Sequence, residues 1–170
     1  PIGSATLTVS DASEMPAEGA VIVNPVSPSE AEILEYTRID YTTNVLTLDT
    51  VTTKAHTDTD EVAVVDLIED SSEAGQNFFQ LSNYPVIDGT MRLWVDSGSG
   101  PTAQVQGTDY LINRGTGEIE LLGAGTPAGS KVAASYTYYT ALLGEVQKVI
   151  NGDPDDPSNY PGIKAAGVRV

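Results

Sequence analysis

The sequence predicts an all-β protein: two small antiparallel barrel or sandwich modules, then a short C-terminal helix and an extended arm. Three observations lead there. Short runs of β-favouring residues with period-two alternation recur through residues 4–139, separated by Gly, Pro, Asn and Asp turns. A polar run at 69–76 (E-D-S-S-E-A-G-Q) divides those runs into two groups. Beyond residue 139 the pattern changes to a short amphipathic segment and a proline-rich connector.

The first module spans residues 1–68. S-A-T-L-T-V at 4–9 alternates and reads as a strand; Pro16 and Gly19 punctuate the loop before A-V-I-V at 20–23. N-P-V-S-P-S is a turn. Residues 31–37 (A-E-I-L-E-Y-T) have helical propensity, but their alternation fits a strand with Ile33, Glu35 and Thr37 on one face and Leu34 and Tyr36 on the other. Thr42, Thr43 and Asn44 turn the chain into V-L-T-L-D, and E-V-A-V-V-D-L-I at 61–68 closes the unit. Such spacing is typical of a small barrel or sandwich.

The second module spans 77–139, with 69–76 as linker. N-F-F-Q-L is a strand and Y-P-V-I-D-G-T a turn. M-R-L-W-V at 91–95 alternates, placing Met91, Leu93 and Val95 opposite Arg92 and Trp94. A-Q-V-Q, D-Y-L-I-N, G-E-I-E-L-L and S-K-V-A-A-S-Y-T-Y-Y at 130–139 complete the set, with R-G-T-G as a tight turn.

Residues 140–170 are the expected assembly arm. A helix from about Ala141 to Ile150 would carry Leu142, Val146 and Val149 or Ile150 on one stripe, with Gly144 weakening it and N-G as its stop. N-G-D-P-D-D-P-S-N-Y-P-G is stiffened by prolines, and I-K-A-A-G-V-R-V follows. Short apolar segments joined by a turn-rich stretch suit packing on another chain. The interface expected from this pattern comprises Tyr136, Tyr138, Tyr139, Leu142, Leu143, Val146, Val149, Ile150, Tyr160, Ile163, Val168 and Val170. Tyrosine joins apolar area to a polar tip, which suits such a role, although core or edge packing accounts for the three strand tyrosines as well.

The chain has 170 residues and a formal charge of −16, from 24 acidic and 8 basic residues. That balance argues against direct nucleic-acid binding. The imbalance is strongest in residues 1–70, where Arg38 and Lys54 are the only basic side chains. Cysteine is absent, so disulfides and thiolate chemistry are excluded. No run approaches the length of a spanning helix, and no membrane partner is expected.

Candidate chemistry is sparse. His56 in K-A-H-T-D-T-D sits near Asp58 and Asp60, but it is the only histidine and reads as a surface or turn residue. Asp153, Asp155 and Asp156 resemble a calcium loop in composition only, since two prolines interrupt and no closing glutamate follows. G-S-G-P and L-L-G-A-G-T-P-A-G-S lack the lysine of a phosphate-binding loop. Glu118 and Glu120 share a strand face as a glycosidase pair would, and as any solvated strand does. No catalytic residue, metal or cofactor is expected.

The run from A-T-L-T-V through M-P-A-E-G-A-V-I-V-N, E-I-L-E-Y-T, N-V-L-T-L and A-H-T-D-T-D-E-V resembles a small β-module of tailed-bacteriophage structural proteins, over about residues 3–66. Y-P-V-I-D-G-T-M-R-L-W-V, G-T-D-Y-L-I-N-R-G-T-G-E-I-E-L and G-S-K-V-A-A-S-Y-T-Y are similar to a second virion module. The resemblance implies a non-enzymatic virion component of the neck, tail, baseplate or fibre attachment, or a capsid decoration protein. It implies a homo-oligomeric ring or lattice in contact with other virion proteins. A carbohydrate-binding sandwich, with Trp94 and the tyrosines lining a glycan site, is the alternative from another class.

Overall fold

The computed structural model describes residues 2–57 and 59–139, and all regular structure among them is β. Eleven strands are formed: β1 (Thr6–Thr8), β2 (Gly19–Val23), β3 (Glu32–Asp40), β4 (Val45–Leu48), β5 (Val62–Glu69), β6 (Phe78–Gln80), β7 (Arg92–Asp96), β8 (Pro101–Gln104), β9 (Tyr110–Asn113), β10 (Glu118–Leu121) and β11 (Lys131–Ser135). They build an eight-stranded sheet ordered β1-β4-β3-β2-β5-β11-β7-β8 and a three-stranded sheet ordered β6-β10-β9, antiparallel throughout. Among the described residues no closed barrel is formed. The expected helix from 141 to 150 and the arm beyond it lie outside the described residues.

β5 is the hinge of this arrangement. Its first half, Val62–Val65, pairs with β2, and its second half pairs with β11 from the far end of the sequence. One sheet therefore runs through both halves. The stretch read as a linker is tied down as well. Ser72 is buried; its N–H donates to the Ser130 carbonyl (2.9 Å), and its carbonyl accepts from Gly129 N–H (2.8 Å). Gly75 N–H donates to the Thr126 carbonyl (2.8 Å), and Thr126 N–H donates to the Gln76 carbonyl (3.0 Å).

Three clusters fill the interior. In the first half β1, β4, β3, β2 and β5 curl around Leu7, Val9, Val21, Val23, Leu34, Tyr36, Ile39, Leu46 and Leu48. The expected alternation of β3 holds for Leu34 and Tyr36. A bulge between Tyr36 and Arg38 then resets the phase, so that Ile39 also points inward and the strand extends to Asp40. In the second half the small sheet lays Phe79, Tyr110, Ile119 and Leu121 over Leu93, Val132 and Ala134. The third cluster lies on the opposite face of β2, β3 and β5, where Ala20, Ile22, Ile33 and Val65 meet Trp94 and Ala133. The sheet thus folds back on itself about β5 and β11, and β2 is buried on both faces. This explains its uninterrupted apolar sequence.

Gly100 in the β7–β8 turn packs against the first half beside Pro28 and Ala31. Its φ is +110°, and a Cβ there would lie 2.5 Å from the Pro28 carbonyl oxygen. Two strand boundaries differ from expectation. β8 starts at Pro101, which suits a first-residue position on an edge, rather than at Ala103. The run at 130–139 is not one strand: β11 ends at Ser135, after which Tyr138 bridges to Val86 and Ile87 N–H donates to the Thr137 carbonyl.

Candidate functional site

The histidine, expected at the surface, is buried. Glu32 opens β3, while the loop from β4 to β5 brings His56 beneath it and Asp60 beside it. His56 Nε2 lies 2.9 Å from Glu32 Oε2, and Nδ1 lies 3.2 Å from Asp60 Oδ2. The His56 side chain is 4% exposed and that of Glu32 9%. Thr53 donates to Glu32 Oε1 through its N–H (2.7 Å) and its hydroxyl (2.6 Å). Thr57 donates to Asp60 through both groups (3.0 and 2.8 Å).

Both ring nitrogens face carboxylate oxygens of the chain itself. Burial pushes the Glu32 carboxyl upward, but hydrogen bonds from the Thr53 hydroxyl, His56 and the Thr53 and Lys54 backbone outweigh it and hold the group below its ordinary range. The Thr57 N–H, then its hydroxyl, lower Asp60. Both histidine nitrogens are within hydrogen-bond distance of carboxylates, one on β3 and one on the loop. The cluster is a clip that fastens the loop to β3. No sequence signal marks it, because Glu32 and His56 are 24 residues apart.

Beside the clip the curled sheet stays open. A groove runs along β1, lined by Leu7, Thr8 and Val9 on one side and Val62 and Val64 on the other, with a hollow of about 160 Å³. Val64 pairs with the fully buried Val21 and so faces the interior, yet it is 41% exposed. The gap between β1 and β5 accounts for that exposure.

The expected interface residues divide. Tyr136 is held inside: its hydroxyl donates to Asp66 Oδ2 (2.7 Å) and accepts from Asn83 N–H (3.1 Å). Burial first, and the bond to Asp66 second, push its hydroxyl up to about 12. Tyr138 and Tyr139 are exposed, at 38% and 58%, and the Tyr136 and Tyr138 rings are tilted 51° with centroids 6.1 Å apart. Leu142, Leu143, Val146, Val149, Ile150, Tyr160, Ile163, Val168 and Val170 lie outside the described residues.

Trp94 is 3% exposed and packs in the third cluster, so it lines no open glycan site. Glu118 and Glu120 lie on the outer face of the small sheet, where the register sets Glu120 between Phe78 and Leu111. Those two apolar side chains are exposed, a patch that sequence reading did not single out. Among the described residues no group of three His, Asp or Glu side chains has the geometry of a metal site. Lys131 joins β11 to Glu35 (3.1 Å) and Asp70 (2.7 Å), and Arg114 pairs with Asp88.

Comparison with protein-family models, curated proteins and solved structures gives no match.

Proposed function

We propose that this chain is a non-enzymatic structural subunit of a tailed virus particle, an adaptor in the neck, tail or baseplate. Its body of two β-modules is the rigid block, and residues 140–170, as a short helix and an extended arm, make the intersubunit contacts. The observation that supports this most is the position of Tyr138 and Tyr139. Both are exposed aromatics, set at the point where the chain leaves the folded body toward the apolar segments of 140–170. The ligands of this reading are proteins of the particle, among them further copies of the chain in a ring or lattice.

The test is removal of residues 140–170 in particles that otherwise assemble. The body remains folded, by circular dichroism, and fails to enter particles. Normal incorporation of the truncated chain overturns the proposal. Copy number separates the two positions in a particle: a dozen or fewer copies marks an adaptor, and hundreds mark a decoration protein of the shell. In the glycan-binding alternative the isolated body would bind a sugar; that reading rested on Trp94 and the tyrosines, and the burial of Trp94 leaves it only exposed tyrosines such as Tyr138 and Tyr139.

A further inference from the structure

The groove between β1 and β5 has the form of a missing strand. In β1, Val9 N–H donates to the Asn44 carbonyl, and the Ala5 carbonyl accepts from Leu48 N–H. Residues 5, 7 and 9 therefore bond toward β4, and the backbone groups of Thr8 point the other way, into the groove. In β5 the Glu61 carbonyl accepts from Asn24 N–H, so 61, 63 and 65 bond toward β2. The backbone groups of Val62 and Val64 point away from β2, where among the described residues no strand is paired with them, since β11 reaches only to Asp66. Two open strand edges thus border one groove, whose lining joins Leu7, Val9, Val23 and Val64 to the polar Ser10, Asp11, Thr57 and Asp60. Val64 is an inward-facing residue left exposed. Open edges of this kind are templates for strand addition.

We infer that this groove accepts residues 163–170 (I-K-A-A-G-V-R-V) of a second copy of the chain as an added strand, which rests on the assembly reading above. Two features of the sequence select this occupant. The first is charge. The segment carries Lys164 and Arg169 and no acidic residue, while residues 1–70, which build the groove, carry 14 acidic against 2 basic residues. Asp11 and Asp60 stand on the groove itself. The second is size. Paired between β1 and β5, the segment turns alternate side chains inward, and Ala166, Val168 and Val170 form one such set, with Lys164 of the same face at the segment's end, where its long stem reaches out of the groove. Small and β-branched side chains suit a hollow of about 160 Å³, and aromatic ones do not. Arg169, on the other face, is placed to meet the acidic rim. Seated this way, each copy closes the open seam of the next, which yields a ring where the rotation closes and a filament where it does not.

The test uses cysteine cross-linking in the full chain, which has no cysteine of its own. One preparation carries Thr8→Cys, on an edge strand with an exposed side chain, and a set of others carries single cysteines at each position from 165 to 169. A disulfide demands Cα atoms within about 7 Å, so only strand neighbours are joined on mild oxidation. Mixing the Thr8→Cys chain with the others is expected to give a disulfide dimer at one or two positions of alternating register. The same pair placed in a single chain is expected to give linked oligomers. Cross-linked monomer alone means that each chain fills its own groove and overturns the inference, as does the absence of any cross-link across the set. Near-ultraviolet circular dichroism confirms that each substituted chain is folded. Failure here, combined with failure of the truncated chain to enter particles, leaves the adaptor reading standing with a different grip. Normal incorporation of the truncated chain removes the adaptor reading itself.

Discussion

Replacing His56 by alanine tests whether the buried clip holds the β4–β5 loop. The substitution leaves Glu32 Oε2, in a site only 9% exposed, without the His56 nitrogen that faces it at 2.9 Å. Leaving a buried charged acceptor short of a hydrogen-bond partner costs about 3 kcal/mol or more. Two Thr53 donors at 2.7 and 2.6 Å remain on Glu32 Oε1, so the expected loss falls to about 2–3 kcal/mol, between a bond to a charged group and a fully orphaned charge. Trp94 is the only tryptophan and is buried, so its fluorescence follows unfolding in urea. At a slope of about 2 kcal/mol per molar urea, the midpoint falls by roughly 1–1.5 M. The sign with pH follows from Glu32 and Asp60. Both have lowered values in the fold, so the unfolded chain binds more protons in acid. Their contribution is complete above the ordinary carboxylate range and is lost as pH falls through the folded values. The acid sensitivity of His56→Ala is therefore expected to be shallower than that of the parent. A variant within about 0.5 kcal/mol of the parent, with the same acid profile, refutes the clip, since that is the size of a neutral surface change.

Gly100→Ala is expected to lower stability by about 2 kcal/mol or more, because the new Cβ meets the Pro28 carbonyl and φ of +110° is strained for any L side chain; thermal melting measures it. Tyr136→Phe removes the bonds to Asp66 and Asn83 and is expected to cost about 1–2 kcal/mol in urea titration. Because the folded Tyr136 value is raised to about 12, its contribution is complete below about pH 10 and fades as pH rises toward 12, so parent and variant converge in strong alkali. Trp94→Ala, which empties the packing between Ile22, Ile33 and Ala133, is expected to cost about 3–5 kcal/mol by the same titration, read by circular dichroism.

The strands were legible in the sequence because each carries its own period or run. Leu34 and Tyr36 alternate with Ile33 and Glu35, and Ala20–Val23 is apolar throughout because both of its faces are covered. What the sequence concealed was long-range pairing. Nothing in E-V-A-V-V-D-L-I says that its first half meets β2 and its second half meets a strand over sixty residues later. The 69–76 run is polar and reads as a tether, but Ser72 and the Gln76 carbonyl are hydrogen-bonded to residues 126–130. His56 was placed outside for a related reason: a local reading sees a polar loop, and the carboxylate that buries the ring arrives from the start of β3. The tyrosines read as one strand end separate because the chain turns off the sheet after Ser135, leaving Tyr136 anchored and Tyr139 in solvent.

The place of β5 has a consequence for biosynthesis. When β5 leaves the ribosome, the partner for its second half has not been made. About 60 residues must follow before β11 emerges, a delay of roughly 3–12 s at ordinary elongation rates. During that interval Leu67 and Val65, with Ile22 and Ile33 behind them, form an apolar face beside an open backbone edge. On a crowded polysome such an edge joins neighbouring nascent chains. Asp66, Glu69 and Asp70 sit at that same end of β5, and the portion already made carries 14 acidic groups against 2 basic ones. Like-charged nascent chains repel one another, so the acidity of the first half guards the unfinished sheet until its last strand arrives.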